Sequence, residues 1–142
     1  MKKIYLTLSF VMVTGILCAQ NKTTKDADKL FNRFEYVDAA KAYLKLVEND
    51  KADAYVYQQL ADSYYNVFNT KEAATWYAKA IELKPDAELH YKYAQMLKAE
   101  GNYDLADAQM KQFAALKPND DRAKTYLANP DYLVALKAQS KL

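Results

Sequence analysis

Residues that turn or crosslink a backbone are scarce in this chain. Its 142 residues include two glycines, three prolines, one cysteine and one histidine. Gly15 falls close to the N-terminus, so Gly101 alone is left for the rest. A β-sandwich or barrel, or an α/β fold with phosphate-cradling loops, wants many more turn residues. The composition therefore predicts an all-α protein. Cys18 has no partner for a disulfide, so stability must come from packing. One histidine and no cysteine after residue 18 exclude His-rich or Cys-rich zinc sites. Ser63 and Ser140 have no paired base in a recognisable setting, and no phosphate loop exists. The acidic residues sit at helix starts and on solvent faces, with no pair singled out for glycoside hydrolysis. The chain reads as no enzyme, with no cofactor and no metal.

Long apolar runs are missing too. Ile4 to Leu17 gives fourteen residues without a charge, short of the roughly 20 that a spanning helix needs. Lys2 and Lys3 precede it; Ala19 and the polar run Gln20-Asn21-Lys22-Thr23-Thr24-Lys25 follow. That is the order of a secretory signal peptide, expected over 1–19 with cleavage after Ala19, although Leu17 sits where a smaller residue is preferred. A lipid-anchored Cys18 is the alternative, but Leu17 stands where lipoprotein signals want a small residue. Cleavage also removes two of the 20 basic side chains, leaving 18 against 18 acidic ones. The signs are interspersed and no basic stripe is visible, which sets nucleic-acid binding aside.

What is present is apolar matter, 51% of residues, and thirteen tyrosines. These are arranged in a repeat of about 34 residues. Ile81-Glu82-Leu83-Lys84-Pro85-Asp86 and Ala114-Ala115-Leu116-Lys117-Pro118-Asn119 are the same phrase, 33 residues apart. Ala54 to Asp86 carries Tyr57, Leu60, Ala61 and Tyr64 in one helix, then Ala73, Tyr77 and Ala80 in a second. Leu60, Tyr64 and Val67 step by four and three, as one helical face does. Asn69 with Glu72 reads as an N-cap and its partner; Asp86 and Asn119 read as caps of the helices that follow. Gly101 stops one helix and Asn102 starts the next. Ala87 to Asn119 is the next copy, with His90, Met110 and Phe113 as departures; His90 falls where a large packing residue is expected. A weaker copy from about Asn21 to Asp53 keeps Ala27, Tyr36, Ala39 and Tyr43. Beyond Asn119, helices are expected over Arg122 to Ala128 and Tyr132 to Ser140, broken at Asn129-Pro130-Asp131. Tyr126, Leu127, Leu133 and Leu136 are positioned to cover the last apolar face.

These offsets resemble the tetratricopeptide repeat, with Tyr57 for its usual Trp and Ala61 for its usual Gly. The resemblance implies an all-α solenoid of three helix-turn-helix repeats, about 20–53, 54–86 and 87–119. Residues 120–142 would then be capping helices or a linker to an absent domain. It also implies that the first helix of each repeat lines a concave groove. Transferring that register gives Asp28, Phe31, Asn32, Tyr55, Gln58, Asp62, Tyr65, Asn66, Tyr91, Gln95 and Lys98 as candidate protein-binding residues. Rings give contact area at low entropy cost and amides read backbone groups, which suits peptides. The plainer alternative is a wet surface of amphipathic rings with no ligand. Repeats that clamp a C-terminal carboxylate carry Lys then Asn where this chain has Thr24 and Asp28, and Lys and Arg where it has Glu88 and Lys92, so that subclass does not fit. Trp76 lies in a second helix, expected to face outward or into a later contact.

Longer phrases carry a second resemblance. Ala27-Asp28-Lys29-Leu30-Phe31, Tyr36-Val37-Asp38-Ala39-Ala40-Lys41-Ala42-Tyr43, Leu60-Ala61-Asp62-Ser63-Tyr64-Tyr65, Tyr91-Lys92-Tyr93-Ala94-Gln95-Met96-Leu97-Lys98 and Asn129-Pro130-Asp131-Tyr132 are distinctive. Together they are similar to the N-terminal region of OmpA-family envelope proteins of Bacteroidetes-type bacteria. There a signal peptide and such repeats precede a β-propeller and a peptidoglycan-binding domain. This chain ends about where the propeller would start, so it is expected to be a fragment of such a protein or a free-standing repeat protein. The resemblance implies an exported, periplasmic chain associated with the outer membrane, binding another envelope protein or peptide in an outer-membrane or cell-wall complex. The alternatives are the N-terminal module of an OmpA-family peptidoglycan-associated protein, and a glycan-binding envelope module whose tyrosines stack on sugars.

Overall fold

The computed structural model describes residues 24–141. The expected signal segment, with its cleavage site and Cys18, lies outside the described residues. Eight helices and no strands are found within them: α1 (24–32), α2 (Tyr36–Glu48), α3 (Ala54–Asn66), α4 (Thr70–Leu83), α5 (Ala87–Ala99), α6 (Tyr103–Leu116), α7 (Asp121–Ala128) and α8 (Tyr132–Gln139). They pack pairwise in sequence order, α2 on α3, α3 on α4, α4 on α5 and α5 on α6; α6 then meets both α7 and α8. The chain is thus all-α and solenoid-like. No helix among the described residues is long and apolar enough to cross a membrane.

Local chemistry sets the ends of each pair. Asp53, Asp86 and Asp120 cap α3, α5 and α7, their carboxylates accepting from the Val56, Glu88 and Arg122 amides at 2.9 Å. Asn69 caps α4 by accepting from Glu72 N at 3.4 Å, as the sequence predicts. Asn119 is not the cap of α7: the chain makes one more bend, and the next residue, Asp120, reaches the free amide. Asp131 is the N-cap residue of α8 without a side-chain bond, and Pro130 stands outside that helix rather than in its first turn.

The turn inside each pair has one geometry. Asn102 N donates to Leu97 O and Gly101 N to Lys98 O, closing α5 with two nested hydrogen bonds and Gly101 at φ 75°. Glu35, Phe34 and α1 do the same, as do Asn69, Phe68 and α3. Phe34 and Phe68 therefore hold φ 62° and 57°, a left-handed conformation that costs a side-chain-bearing residue about 1 kcal/mol or more. The two residues are 76% and 74% exposed, so burial returns little of it.

Small residues let the helices close up. Ala39, Ala61, Ala73, Ala80 and Ala123 are fully buried, and Tyr43, Tyr77, Phe113 and Leu60 fill the space between. Tyr64 is half-buried between two core clusters. Trp76 is half-buried as well: its ring stacks on Tyr57 at 5.8 Å, Lys79 lies over both, and its Nε1–H donates to Glu72. At the C-terminal end Leu133 is buried against Leu97 and Ala106, flanked by Tyr126 and Leu136. Leu127 takes no part in that cover and is 57% exposed, because its side of α7 faces away from α6.

Candidate functional site

The candidate residues lie on the first helices of the pairs, α1, α3 and α5, and the structure divides them. Asp28 and Asp62 hold the fold together. Asp28 accepts from the hydroxyls of Thr24 (2.7 Å), Tyr43 (2.6 Å) and Tyr55 (2.8 Å). Asp62, 34 residues on and buried, accepts from the Tyr77 hydroxyl at 2.5 Å and from Lys92 Nζ at 2.7 Å. Each carboxylate thus ties the second helix of its own pair to the first helix of the next. The cost of burying Asp62 is offset by two short charge-assisted bonds. Phe31 packs edge-on to Tyr36 in the first core cluster. Asn32 is exposed at the end of α1, and Asn66 donates to the Asp62 carbonyl on its own helix.

The tyrosines feel these partners. Burial and the Asp28 carboxylate push the Tyr55 hydroxyl up to about 12. Burial, then Asp28, raises Tyr43 further, and burial with Asp62 does the same for Tyr77. All three stay protonated donors at neutral pH.

The remaining candidates line open clefts. Tyr55 and Gln58 border one of about 480 Å³ between α3 and α5, with Leu89 and Lys92 opposite. Tyr65, Tyr91, Gln95 and Lys98 border another of about 460 Å³, together with Phe68 and Met96. Tyr91, Gln95 and Lys98 also form one wall of a third, about 580 Å³, whose other walls are α6, α7 and α8. Spaced four and three apart, these three residues share one face of α5 and make the ridge between the two clefts. Asp28, Phe31, Asn32, Asp62 and Asn66 line none of the three.

The third cleft has a floor of Ala94, Ala106, Met110 and Leu133 and a rim of Tyr126, Thr125, Asn129 and Tyr132. Its α7 side is fixed by Arg122. That guanidinium reaches Glu88 with two bonds (2.6 and 2.9 Å), pairs with Asp120, and lies 4.4 Å from the Tyr91 ring centroid and 4.9 Å from that of Phe113. Hydrogen bonds from Arg122 hold the Asp120 carboxyl at about 2, and also lower Glu88. On the other side, burial works to raise Asp107, but the bonds from Lys111 and Tyr126 outweigh it and leave that carboxyl low. His90 is buried with its Nδ1 2.7 Å from Gln109 Oε1, a packing position. Among the described residues no group of acidic, His or Cys side chains is arranged to hold a metal ion.

The α7–α8 half of this cleft is not visible in the sequence. Tyr126 and Leu133 are legible there only as cover for the last apolar face. The signal that was available is the smallness of Ala94 and Ala106, which leave a hollow where larger residues would close the core.

No curated protein matches the chain. A domain of unknown function, DUF7017, matches residues 25–129, which spans α1 through α7 and stops before α8. On that match the chain belongs to the DUF7017 family.

Proposed function

We propose that this protein is a non-catalytic binding scaffold of the tetratricopeptide type, which takes a protein segment along the first helices of its pairs. One observation carries the reading. Gln95 stands in the tyrosine-walled clefts and Gln58 beside Tyr55 in the other, and neither amide has a hydrogen-bond partner among the described residues. Amides left open beside exposed rings are equipped to read a peptide backbone. Several neighbouring polar groups, by contrast, are consumed within the fold: the Tyr55 hydroxyl by Asp28, Lys92 by Asp62 and Arg122 by Glu88 and Asp120. The expected export signal and the OmpA-like phrases put the partner in the bacterial envelope, as a free-standing adaptor or as the repeat module of a longer anchored protein.

A displayed peptide library panned against the full chain tests this. Recovery of a consensus whose binding is lost in Tyr65→Ala/Tyr91→Ala and weakened in Gln95→Ala supports the scaffold. The exposed rings favour one second reading, sugar stacking. No consensus, together with sedimentation of the chain on cell-wall sacculi that the same double variant abolishes, replaces the first reading by the second. Fractionated cells probed with an antibody to residues 20–142 locate the chain: a cytoplasmic band of unprocessed size removes the envelope assignment.

A further inference from the structure

The ridge on α5 carries a cation that faces two clefts at once. Lys98 borders both the 580 Å³ and the 460 Å³ clefts, and it has no carboxylate partner among the described residues. Its ammonium lies 5.8 Å from the Tyr132 ring centroid, a contact that positions a cation without neutralising it. Every other charge on these walls is compensated. Arg122 is shared by Glu88 and Asp120, and Asp121 is paired with Lys124. On either side of Lys98 the walls are apolar. One cleft has the Ala94–Ala106–Met110–Leu133 floor; the other has Met96, Ala99 and the outward Phe68 ring. Phe68 keeps its left-handed backbone and exposed ring at a turn where the next pair uses Gly101, and its ring becomes one wall of the groove.

Resting on the peptide-binding reading above, we infer that the groove across α5 takes a segment with an acidic side chain between two bulky apolar ones. The carboxylate meets Lys98. One apolar side chain enters the hollow over Ala94 and Ala106, and the other lies against Phe68 and Met96. Charge complementarity chooses the occupant: an uncompensated cation on a tyrosine-rich ridge attracts an anion and disfavours a basic segment.

The test uses fluorescein-labelled peptides in which two leucines flank a central Asp, Asn or Lys, with spacer lengths varied, and reads anisotropy on titration with the full chain. The Asp peptide of best spacing is expected to bind about fivefold tighter than its Asn counterpart, the size of a partly exposed ion pair, and to weaken as salt rises. Lys98→Glu should reverse the preference toward the Lys peptide, and Phe68→Ala should weaken all centres alike. Where Lys98→Glu fails to give the wild-type helical spectrum, Lys98→Gln serves, with the Asp and Asn peptides expected to become equal. Binding that ignores the central residue, or an Asp preference that survives at Lys98→Glu, overturns the inference while leaving the scaffold reading intact. Absence of binding by every peptide, along with an empty library selection, sinks both.

Discussion

Removing one hydroxyl from the centre of the molecule gives a sharp test of how the pairs are joined. Tyr77 is fully buried and donates to Asp62 at 2.5 Å. In Tyr77→Phe the ring still fills its space, so no cavity term enters. Asp62 keeps Lys92, but loses its other charge-assisted bond in a site where its side chain is only 9% exposed. A hydrogen bond to a charged group contributes about 1.5–3 kcal/mol, so the expected loss is about 2 kcal/mol. Tyr43→Phe is the internal control. Tyr43 is equally buried, but Asp28 retains Thr24 and Tyr55 and is better solvated. Its expected loss is about 1 kcal/mol. Urea unfolding followed by far-ultraviolet circular dichroism measures both. With a slope of about 2 kcal/mol per molar, Tyr77→Phe should lower the midpoint by about 1 M at unchanged slope. A Tyr77→Phe loss under about 0.5 kcal/mol, or one smaller than that of Tyr43→Phe, would refute the claim that the buried carboxylate joins one pair to the next.

Other consequences are open to direct measurement. Tyr55 ionises near 12 when folded, above its ordinary value of 10.0, so its share of stability is whole below pH 10 and disappears as pH rises toward 12. Tyr55→Phe should flatten that alkaline limb, and an unchanged alkaline midpoint would count against the Asp28 cluster. Asp120 is depressed from 3.8 to about 2, so its contribution is present above pH 4 and is lost as pH falls toward 2. Asp120→Asn should shrink the acid-induced loss in that window, checked by melting temperature against pH. Gly101→Ala should cost about 1 kcal/mol, because φ 75° is unfavourable for any Cβ while nothing within 4 Å would touch one. Phe68→Gly relieves the same strain at the preceding turn, and should be neutral or stabilising; a large loss there would mean that the ring is held after all.

The periodic parts of the fold are legible in the sequence because they rest on spacing. The Pro85 and Pro118 phrases, the small residues at Ala61, Ala73 and Ala94, and the caps Asn69 and Asp86 all act over a few residues and carry their own signal. What depends on contacts across the pairs was less legible. Asp28 and Asp62 sit on the groove register, and nothing local says that their charges turn inward to tyrosines fifteen residues later. The turns at Phe34 and Phe68 were hidden because left-handed positions are read from glycine, and only the last of the three has one. The cleft against α7 and α8 escaped because its walls come from four helices, and because a short helix that covers a face and one that frames a hollow share the same apolar residues.

The way the pairs are joined also bears on how the chain would behave under tension. Near the N-terminal end and the centre, the junctions run through carboxylates that bridge two helices at once. The last junction is different: α7 and α8 rest on α6 through the small contacts of Ala123, Tyr126 and Leu133, and the ion pair that ties α7 back to α5, Arg122 with Glu88, is solvent-accessible. Stretched between its ends, as a tether between an envelope layer and a partner would be, the molecule should not yield evenly. The α7–α8 segment should peel away first at low force, opening the groove from one side, while α1 to α6 hold. Optical-trap extension would show this as a small early step before a larger one, and a single rip of the whole chain would exclude it. A partner bound across α5 and α7 would then sit on the part of the molecule that gives way first, and mechanical load would release it before the scaffold unfolds.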